Sequence, residues 1–561
     1  MKYLNWRVPT EEPVIEPSFL KAGCTPLLAA ILHLRGLTED SAARSFLRGG
    51  AELLRDPLAL TDMLPAVERL TRAIATGEHT AVYGDYDVDG ITAGCLLSDY
   101  LRSQGLRCEL YIPDRLSEGY GLNTDAIRSL HEQGVTLLVT VDCGVTNLEE
   151  AAYAASLGMD LIITDHHECR EELPEAHAVV DPKRSDCAEG QMLAGVGVAF
   201  KLVCAMDGDA LRMLDRYADL VAVGTVADVM PLLGENRFIT RRGLDKISAG
   251  RCRPGFTALI EATGGADKRL TASTIGYSLA PRINAAGRLG ETELAVRLLE
   301  TSDRREANDL AEQLCERNRA RQQLETEIWE RAVGMLHGER PQTPIVLAAE
   351  DWHSGVIGIV ASRLTDAYSV PAVMICLDGE TGKGSCRSTG SFNLYEALGS
   401  CEDCLVGFGG HAMAAGITVR REKVDELREK LGKYYLEHPD YSVPALEPDL
   451  LVNDPELLSM ECVESLDYLE PCGNSNPRPL LYMENVFVDA VTPIGGGKHT
   501  RLRVIKFGEA YDCVFFSQAA ASLGVHAQQR ADIVFAPQIN DFRSRRTVQL
   551  VITDLRPHRA E

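Results

Sequence analysis

HTAVYGDYDVDGITAGCLLSDYLRSQG, residues 79–105, decides the fold class. Its opening, HTAVYGD, is a short apolar run that reads as a strand, and its close, ITAGCLLSDYLRSQG, carries the three- and four-residue apolar spacing of a helix. The same alternation continues outward. LRCELYIPD reads as a strand and NTDAIRSLHEQG as a helix. VTLLVTVD is a strand, NLEEAAYAASLG a helix, MDLIITD and AHAVVD strands, and AGVGVAFKLVCAM a helix. Strand and helix in alternation imply right-handed crossovers and a mainly parallel sheet, an α/β fold.

The flanks read differently. PLLAAILHLRGL and DMLPAVERLTRAIATGE make the first 75 residues helical. Residues 303–336 run without glycine or proline until Gly334 and predict one long helix between domains. A smaller α/β unit opens with TPIVLAAE, and Pro439, Pro444 and Pro448 mark a linker after it. The alternation in LYMENVFVDAV, HTRLRVIKF, YDCVFF and RTVQLVITDL predicts a small antiparallel all-β barrel. The expected organisation is an N-terminal helical segment (1–75), a parallel-sheet domain (76–300), a connecting helix (301–340), a second α/β domain (341–440) and a linker with the barrel (441–561). A chain of 561 residues supplies core for about three to five such domains.

Composition narrows the class. With 45% hydrophobic and 25% charged residues the chain is neither disordered nor fibrous. No apolar run reaches the length of a membrane span, since the nearest, Leu220 to Leu233, is short and broken by Asp228. The start, MKYLNWRVPT followed by EEPVIEP, has no apolar core of a signal peptide, so a cytoplasmic protein without a membrane partner is expected. Sixteen scattered cysteines fit reduced, buried thiols. The one CxxC, Cys401 to Cys404, has no second pair to complete a zinc site. The net charge of −25 argues against a nucleic-acid partner when taken alone. It hides an asymmetry, because residues 480–561 hold ten Lys/Arg against eight Asp/Glu, leaving about −27 on the remainder.

The acids stand in a pattern. Asp85, Asp87 and Asp89 follow the first strand, Asp142 ends VTLLVTVD, Asp165, His166 and His167 end MDLIITD, and Asp228 ends the apolar run LVAVGTVAD. Open α/β sheets bind ligands at the carboxyl ends of their strands, so these strand-end groups would meet at one edge. Aspartates 87, 89, 142 and 228 bring about four negative charges, which two divalent cations neutralise, and carboxylate with imidazole suits Mn²⁺ or Mg²⁺. Two such ions are the standard means of hydrolysing a phosphodiester. DYDVDG also matches the opening of a calcium loop, but the twelfth position is Leu96 instead of Glu and the preceding AVY reads as a strand. Any single aspartate could simply cap the helix after its strand.

These residues resemble the DHH phosphoesterase superfamily, within it the bacterial single-strand exonucleases. The similarity is carried by VYGDYDVDGITA (82–93), YIPDRLSEGYGLN (111–123), VTVDCGVT (139–146), ITDHHE (163–168), VVDPKR (179–184), GTVADVMPL (224–232), PRINAAGRL (281–289), HSGVIGIVASRL (353–364), GFGGHAMAAG (407–416) and CGNSNPRPL (472–480). It implies metal ligands Asp87, Asp89, Asp142, His166 and Asp228, with His167 either a ligand or a catalytic, phosphate-facing group beside the metals, and Asp85 and Asp165 orienting the ligands. Arg282 and Arg288 would face the scissile phosphate, with Asn284 as a polar contact. The second domain resembles the DHH-associated domain. In it Gly409, Gly410 and His411 would contact phosphate, and Arg387 with Ser385 and Ser388 of GSCRSTG would form a phosphate fork. Tight helix packing is the plain alternative for GFGGHAMAAG, and a surface ion pair for Arg387. Arg115 is a weaker phosphate candidate that could pair with Glu118. The barrel resembles an OB-fold, a fold that binds single strands with a basic groove and stacking aromatics. Its candidates are Arg501, Arg503, Phe515, Phe542, Arg543, Arg545 and Arg546.

The resemblance further implies two Mn²⁺ or Mg²⁺ ions and 5′→3′ removal of mononucleotides from single-stranded DNA in repair and recombination. The enzyme would be a monomer, with a single-strand-binding protein and a RecQ-type helicase as protein partners. The chain closes soon after the barrel, so the further C-terminal domain of longer relatives is expected to be absent. Two rival readings are a phosphodiesterase for very short RNA or cyclic dinucleotides, and a non-catalytic single-strand scaffold that has lost its metals. The intact acid set argues against the second.

Overall fold

The alternating runs of residues 79–180 fold into one parallel sheet. Its strands are β1 (Thr80–Tyr83), β2 (Cys108–Tyr111), β3 (Leu137–Val141), β4 (Asp160–Thr164) and β5 (Ala178–Val180), in the order β2-β1-β3-β4-β5. Helices cover both faces, which is why the strands are nearly continuous in apolar residues. Val82, Val139, Ile162 and Val180 pack with helices Val88–Ser103, Gly195–Asp207 and Ala210–Ala227. Tyr83, Leu138, Ile163 and Val179 pack with helices Thr124–Glu132 and Leu148–Ser156. The chain moves to β2 on one side of β1 and to β3 on the other, so a crevice opens between the carboxyl ends of β1 and β3, where such sheets bind ligands.

This computed structural model describes residues 5–187, 192–265, 269–439, 445–542 and 545–559. They form two compact units, residues 53–443 and residues 1–52 with 444–561. The helical N-terminal segment expected over 1–75 is therefore divided. Helix Met63–Thr76 joins the core of the parallel sheet, and residues 1–52 belong to the unit that holds the barrel.

Within the larger unit, the predicted connector is one helix, Arg304–Met335. Ala307, Leu310 and Leu314 of its first half sit in the parallel-sheet core, and Ile328 and Ala332 of its last turns sit in a second core. That second core surrounds a mixed sheet of β6 (Ile345–Ala349), β7 (Ala372–Asp378), β8 (Thr381–Arg387), β9 (Leu405–Gly410) and β10 (Ala414–Arg420), ordered β6-β7-β8-β10-β9. GFGGHAMAAG is thus the β9–β10 hairpin, not a helix-packing stripe. Cys401 and Cys404 are buried thiols of this core.

The smaller unit carries a barrel. After β11 (Leu450–Leu451) come β12 (Leu481–Ile494), β13 (His499–Lys506), β14 (Glu509–Phe515), β15 (Arg530–Phe542) and β16 (Arg545–Pro557). A β12–β15 pairing closes the last five strands. The barrel is not wholly antiparallel, since β14 and β16 pair in parallel. Leu27, Leu28, Ile31 and Leu32 of helix Pro26–Leu34 share its core with Leu466, Val486 and Phe535. Asn476 of CGNSNPRPL is buried and donates to the carbonyls of Leu469 (2.9 Å) and Pro471 (2.7 Å), which fixes the entry to β12.

Candidate metal centre and cleft

Each strand end delivers its acid for a local reason. After β1 the chain turns sharply, and Asp87 caps helix Val88–Ser103 by accepting from the amides of Asp89 (2.8 Å) and Gly90 (3.1 Å). Asp89, the second residue of that helix and 1% exposed, accepts from the amides of Gly195 (2.6 Å) and Val196 (2.9 Å), the start of another helix. Asp142 follows β3 in the left-handed conformation, φ 61°, which aspartate tolerates better than most residues. A Cβ on Gly195 would stand 2.5 Å from the Asp142 Cβ, so only glycine allows this approach. Asp228 corrects the expectation of a strand-end acid. LVAVGTVAD is the last part of helix Ala210–Ala227, and Asp228 is its C-cap. A carboxylate there meets the negative end of the helix, a placement that helix stability does not favour.

Two ligand trios result, Asp89 with His166 and Asp228, and Asp85 with Asp87 and Asp142, each offering atoms within 4.8 Å of one another, and a further set, Asp142, His166 and His167, lies as close between them. The trios meet where His166 Nε2 and Asp142 Oδ1 lie 3.1 Å apart. That contact lacks hydrogen-bond geometry. Both of those atoms, with His166 Nδ1 and Asp85 Oδ1, are buried without a hydrogen-bond partner. Atoms that crowd together while bonding to nothing are a donor set for cations, because an unsatisfied buried polar atom otherwise costs roughly 1–3 kcal/mol. The electrostatics agree. Burial, then the charges of their neighbours, pushes Asp85, Asp89 and Asp142 well above the carboxylate range. Burial and the His167 charge bring His166 down to about 3, leaving a neutral imidazole able to act as a ligand. Oxygen and imidazole donors of this kind fit Mn²⁺ or Mg²⁺.

Asp165 is not part of either trio. One of its oxygens accepts from the Val145 amide (2.9 Å), the other from the His166 amide (2.7 Å) and from His167 Nδ1–H (2.8 Å). Burial works against a charged His167, but the Asp165 hydrogen bond and charge outweigh it and raise the imidazole to about 9. His167 also meets the Tyr120 hydroxyl, 3.1 Å away.

His167 and Tyr120 form one wall of a cleft of about 1020 Å³ between the parallel-sheet core and the second sheet. Arg115 lies over the Tyr86 ring at 4.8 Å on the same wall. The opposite wall is β8, β9, β10 and the start of helix Ser354–Tyr368, with Lys383, Ser385 and Arg387 facing inward. Arg288 lies outside that lining and donates to the carbonyl of Gly355, which is part of it (2.8 Å).

Family comparisons match this architecture along the chain. The model described as "DHH family, N-terminal domain" matches residues 79–225, "DHHA1 domain" residues 342–437 and "RecJ OB domain" residues 451–554. A protein of Bacillus subtilis (strain 168) named single-stranded-DNA-specific exonuclease RecJ is 39% identical over 94% of this chain and 68% of its own length. The protein of that name from Escherichia coli (strain K12) is 33% identical over 97% of this chain and 98% of its own. The chain belongs to the RecJ family. The solved RecJ of Thermus thermophilus in complex with Mn²⁺ superposes with a TM-score of 0.84 at 31% identity, covering 99% of this chain and 80% of that one. Its complex with Mg²⁺ gives 0.79 at 30%.

Against this RecJ framework the remaining candidates sort by where their side chains go. Arg115, Ser385, Arg387, Gly409 and Gly410 line the cleft. Arg115 has no carboxylate partner among the described residues, so the Glu118 pairing does not form. Glu118 instead accepts from Tyr111, the Asp114 amide and Asn123. Arg282 is turned away, donating to the Ser278 carbonyl (2.6 Å) and to Cys315 Sγ (3.3 Å) on the long helix. Asn284 accepts from the Val88 amide (3.2 Å) and so braces the turn that carries Asp87. Ser388 is buried and donates to the Phe392 carbonyl (2.6 Å), and His411 sits exposed in the β9–β10 turn outside the cleft lining.

In the barrel, Phe515 is core, Arg503 pairs with Asp489 (3.7 Å) and Arg546 with Glu464 (2.7 Å). Arg501 and Arg545 are exposed, and Arg501 has no ion-pair partner among the described residues. Arg543 and the Phe542 side chain lie outside the described residues. Sequence reading missed Tyr120 and Tyr86, although both fall in quoted segments. It also read Asp85 as orienting ligands, whereas the structure sets its unpartnered Oδ1 among them.

Proposed function

We propose that this chain hydrolyses single-stranded DNA from its 5′ end to 5′-mononucleotides, using two Mn²⁺ or Mg²⁺ ions, in DNA repair and recombination. The observation that carries this reading is the pair of ligand trios joined through Asp142 and His166 beside a cation-lined cleft. Asp87, Asp89, Asp142, His166 and Asp228 would hold the ions, with Asp85 joining them. Bound there, two divalent ions would supply the Lewis acidity to activate a water and positive charge for the oxygens of the displacement.

The chain's own groups do the rest. Asp165 keeps His167 protonated, placing an imidazolium against the reacting phosphate. Arg288, Arg115 and Arg387 supply the fixed positive charge that draws a phosphodiester into an acidic molecule. The cleft floor offers glycine backbone and few side chains to read base edges, which fits sequence-neutral digestion. The 5′→3′ direction rests on the family alone. The enzyme works in the cytoplasm as a monomer, beside a single-strand-binding protein and a RecQ-type helicase. Among the described residues no helix is long and apolar enough to cross a membrane.

The test is digestion of single strands labelled at either end, with and without Mn²⁺, by the native chain and by Asp142→Ala. The expected result is Mn²⁺-dependent early release of the 5′ label as mononucleotide, lost in the variant while its circular dichroism stays native. Release from the 3′ end, or no preference for a long strand over a dinucleotide, would refute it.

A further inference from the structure

Two cations near the metal centre come from opposite edges of the parallel sheet. Arg115 follows β2, one edge strand, and lines the cleft with His167 and Arg387, whereas Lys183 follows β5, the other edge strand, and lies outside that lining. Lys183 acts electrostatically on Asp228 and His166. Lys183 lies in VVDPKR, a segment to which the nuclease reading gives no task.

The fold explains why a lysine stands there. β4 and β5 pair in parallel, Thr164 opposite Val180, and the Asp165 amide donates to the Val180 carbonyl (3.1 Å). The chain therefore leaves the sheet as two adjacent segments, Asp165 to Glu168 and Asp181 to Arg184. Asp181 is buried and accepts from the Lys183 amide (2.7 Å), which holds the second segment in a tight turn. Arg184 turns down onto Asp62 (2.7 Å) and the Val179 carbonyl (2.6 Å). Lys183 does not follow it. Its ammonium lies 3.2 Å from Glu168, two residues past His166, with the lysine side chain 29% and the glutamate 65% exposed. A pair this open to water contributes at most about 1 kcal/mol, so a phosphate can displace the glutamate readily. The ammonium is a point charge on a flexible stem, suited to a phosphate whose position varies.

We propose that Lys183 binds the phosphodiester next to the scissile one, at the sheet edge opposite Arg115. This rests on the nuclease reading. A strand crossing the centre is then held on both sides, by guanidinium groups before the scissile phosphate and by Lys183 after it. A 5′-phosphorylated dinucleotide has only a terminal and a scissile phosphate, so it leaves Lys183 without a partner. A trinucleotide supplies one.

The test compares the full-length chain with Lys183→Ala and Lys183→Arg on 5′-phosphorylated dT dinucleotide, trinucleotide and 12-mer in Mn²⁺, beside Mn²⁺ titration of each protein. In Lys183→Ala, kcat/KM on the trinucleotide and 12-mer should fall about tenfold, through KM. The salt slope on the 12-mer should lessen by about 0.7, the value for one phosphate contact on a single strand. The dinucleotide rate and Mn²⁺ affinity should stay unchanged, and Lys183→Arg should restore most of the loss. An equal loss on all three substrates, a weakened Mn²⁺ affinity, or no loss at all would overturn the proposal. If the native chain itself leaves the 12-mer uncut in Mn²⁺, the nuclease reading fails first and takes this one with it.

Discussion

Asp228→Asn should make the metal-free protein more stable at alkaline pH while abolishing its response to Mn²⁺. Asp228 caps the wrong end of a helix, and burial with the Asp87 charge pushes its carboxyl up to about 7 against the pull of His167 and Lys183. A folded-state value above the unfolded one means that the folded chain holds the extra proton between pH about 4 and about 7. Its stability then falls as pH rises through that window and stays low above it. Three pKa units at about 1.4 kcal/mol each amount to roughly 4 kcal/mol. A chain of several domains has no single unfolding free energy. Hydrogen exchange of the segments 88–103 and 210–227, followed in EDTA at pH 5 and pH 8, reports the local one. After correction for intrinsic exchange, native protection in these segments should drop by up to about a hundredfold between the two pH values, since pH 5 to about 7 spans two of those three units. Asp228→Asn should lose less of it and exceed the native chain at pH 8. Mn²⁺ should restore the native chain and leave the variant nearly unmoved. A native chain equally protected at both pH values in EDTA, or a variant less protected at pH 8, would refute the reasoning.

Asp165→Asn removes the hydrogen bond and charge that do most to raise His167 to about 9, so the imidazole should titrate well below 9, with burial then opposed only by the Asp228 and Asp85 charges. The stabilisation from that pair is full below pH 6.5 and lost as pH rises through about 9, and an NMR titration of the ring would show its absence in the variant. Arg387→Ala should raise KM for single strands by about tenfold to a hundredfold, the range for a charge-assisted contact. Its Mn²⁺ titration should match the native chain, because among the described residues the Arg387 guanidinium hydrogen-bonds to Ser385 and the Cys386 carbonyl and to none of the metal ligands. Gly416→Val should fold normally yet lose at least tenfold in kcat/KM on oligonucleotides. The new Cβ meets only the Gly384 carbonyl, at 4.0 Å, and valine suits a strand, but its methyl groups stand in the cleft. Undiminished cleavage would mean that the strand does not cross this floor.

Much of this protein is legible without coordinates. The parallel sheet follows from local periodicity, because a run of four or five apolar residues between polar turns has few other ways to satisfy its backbone. The acids at 85, 87, 89 and 142 and the Asp-His-His run are legible for the same reason, since a strand's carboxyl end is where the next turn begins. The long helix 304–335 is equally local. Asp228 was harder, because LVAVGTVAD is apolar throughout, and periodicity alone does not separate a buried strand from a buried helix.

The direction of each long side chain belonged to the tertiary structure. Arg282 and Arg288 stand six residues apart on one helix, yet one is spent on Cys315 and the other on the Gly355 carbonyl beside the cleft. The union of residues 1–52 with the barrel, the parallel β14–β16 pair and the place of Lys183 beside His166 arise the same way, from elements that meet only after folding. Periodicity along a chain determines which residues share a face of one element, because that depends on backbone geometry alone. Which charge ends up beside which metal ligand is set by how separate elements pack, a long-range balance of burial and repulsion that no local pattern contains.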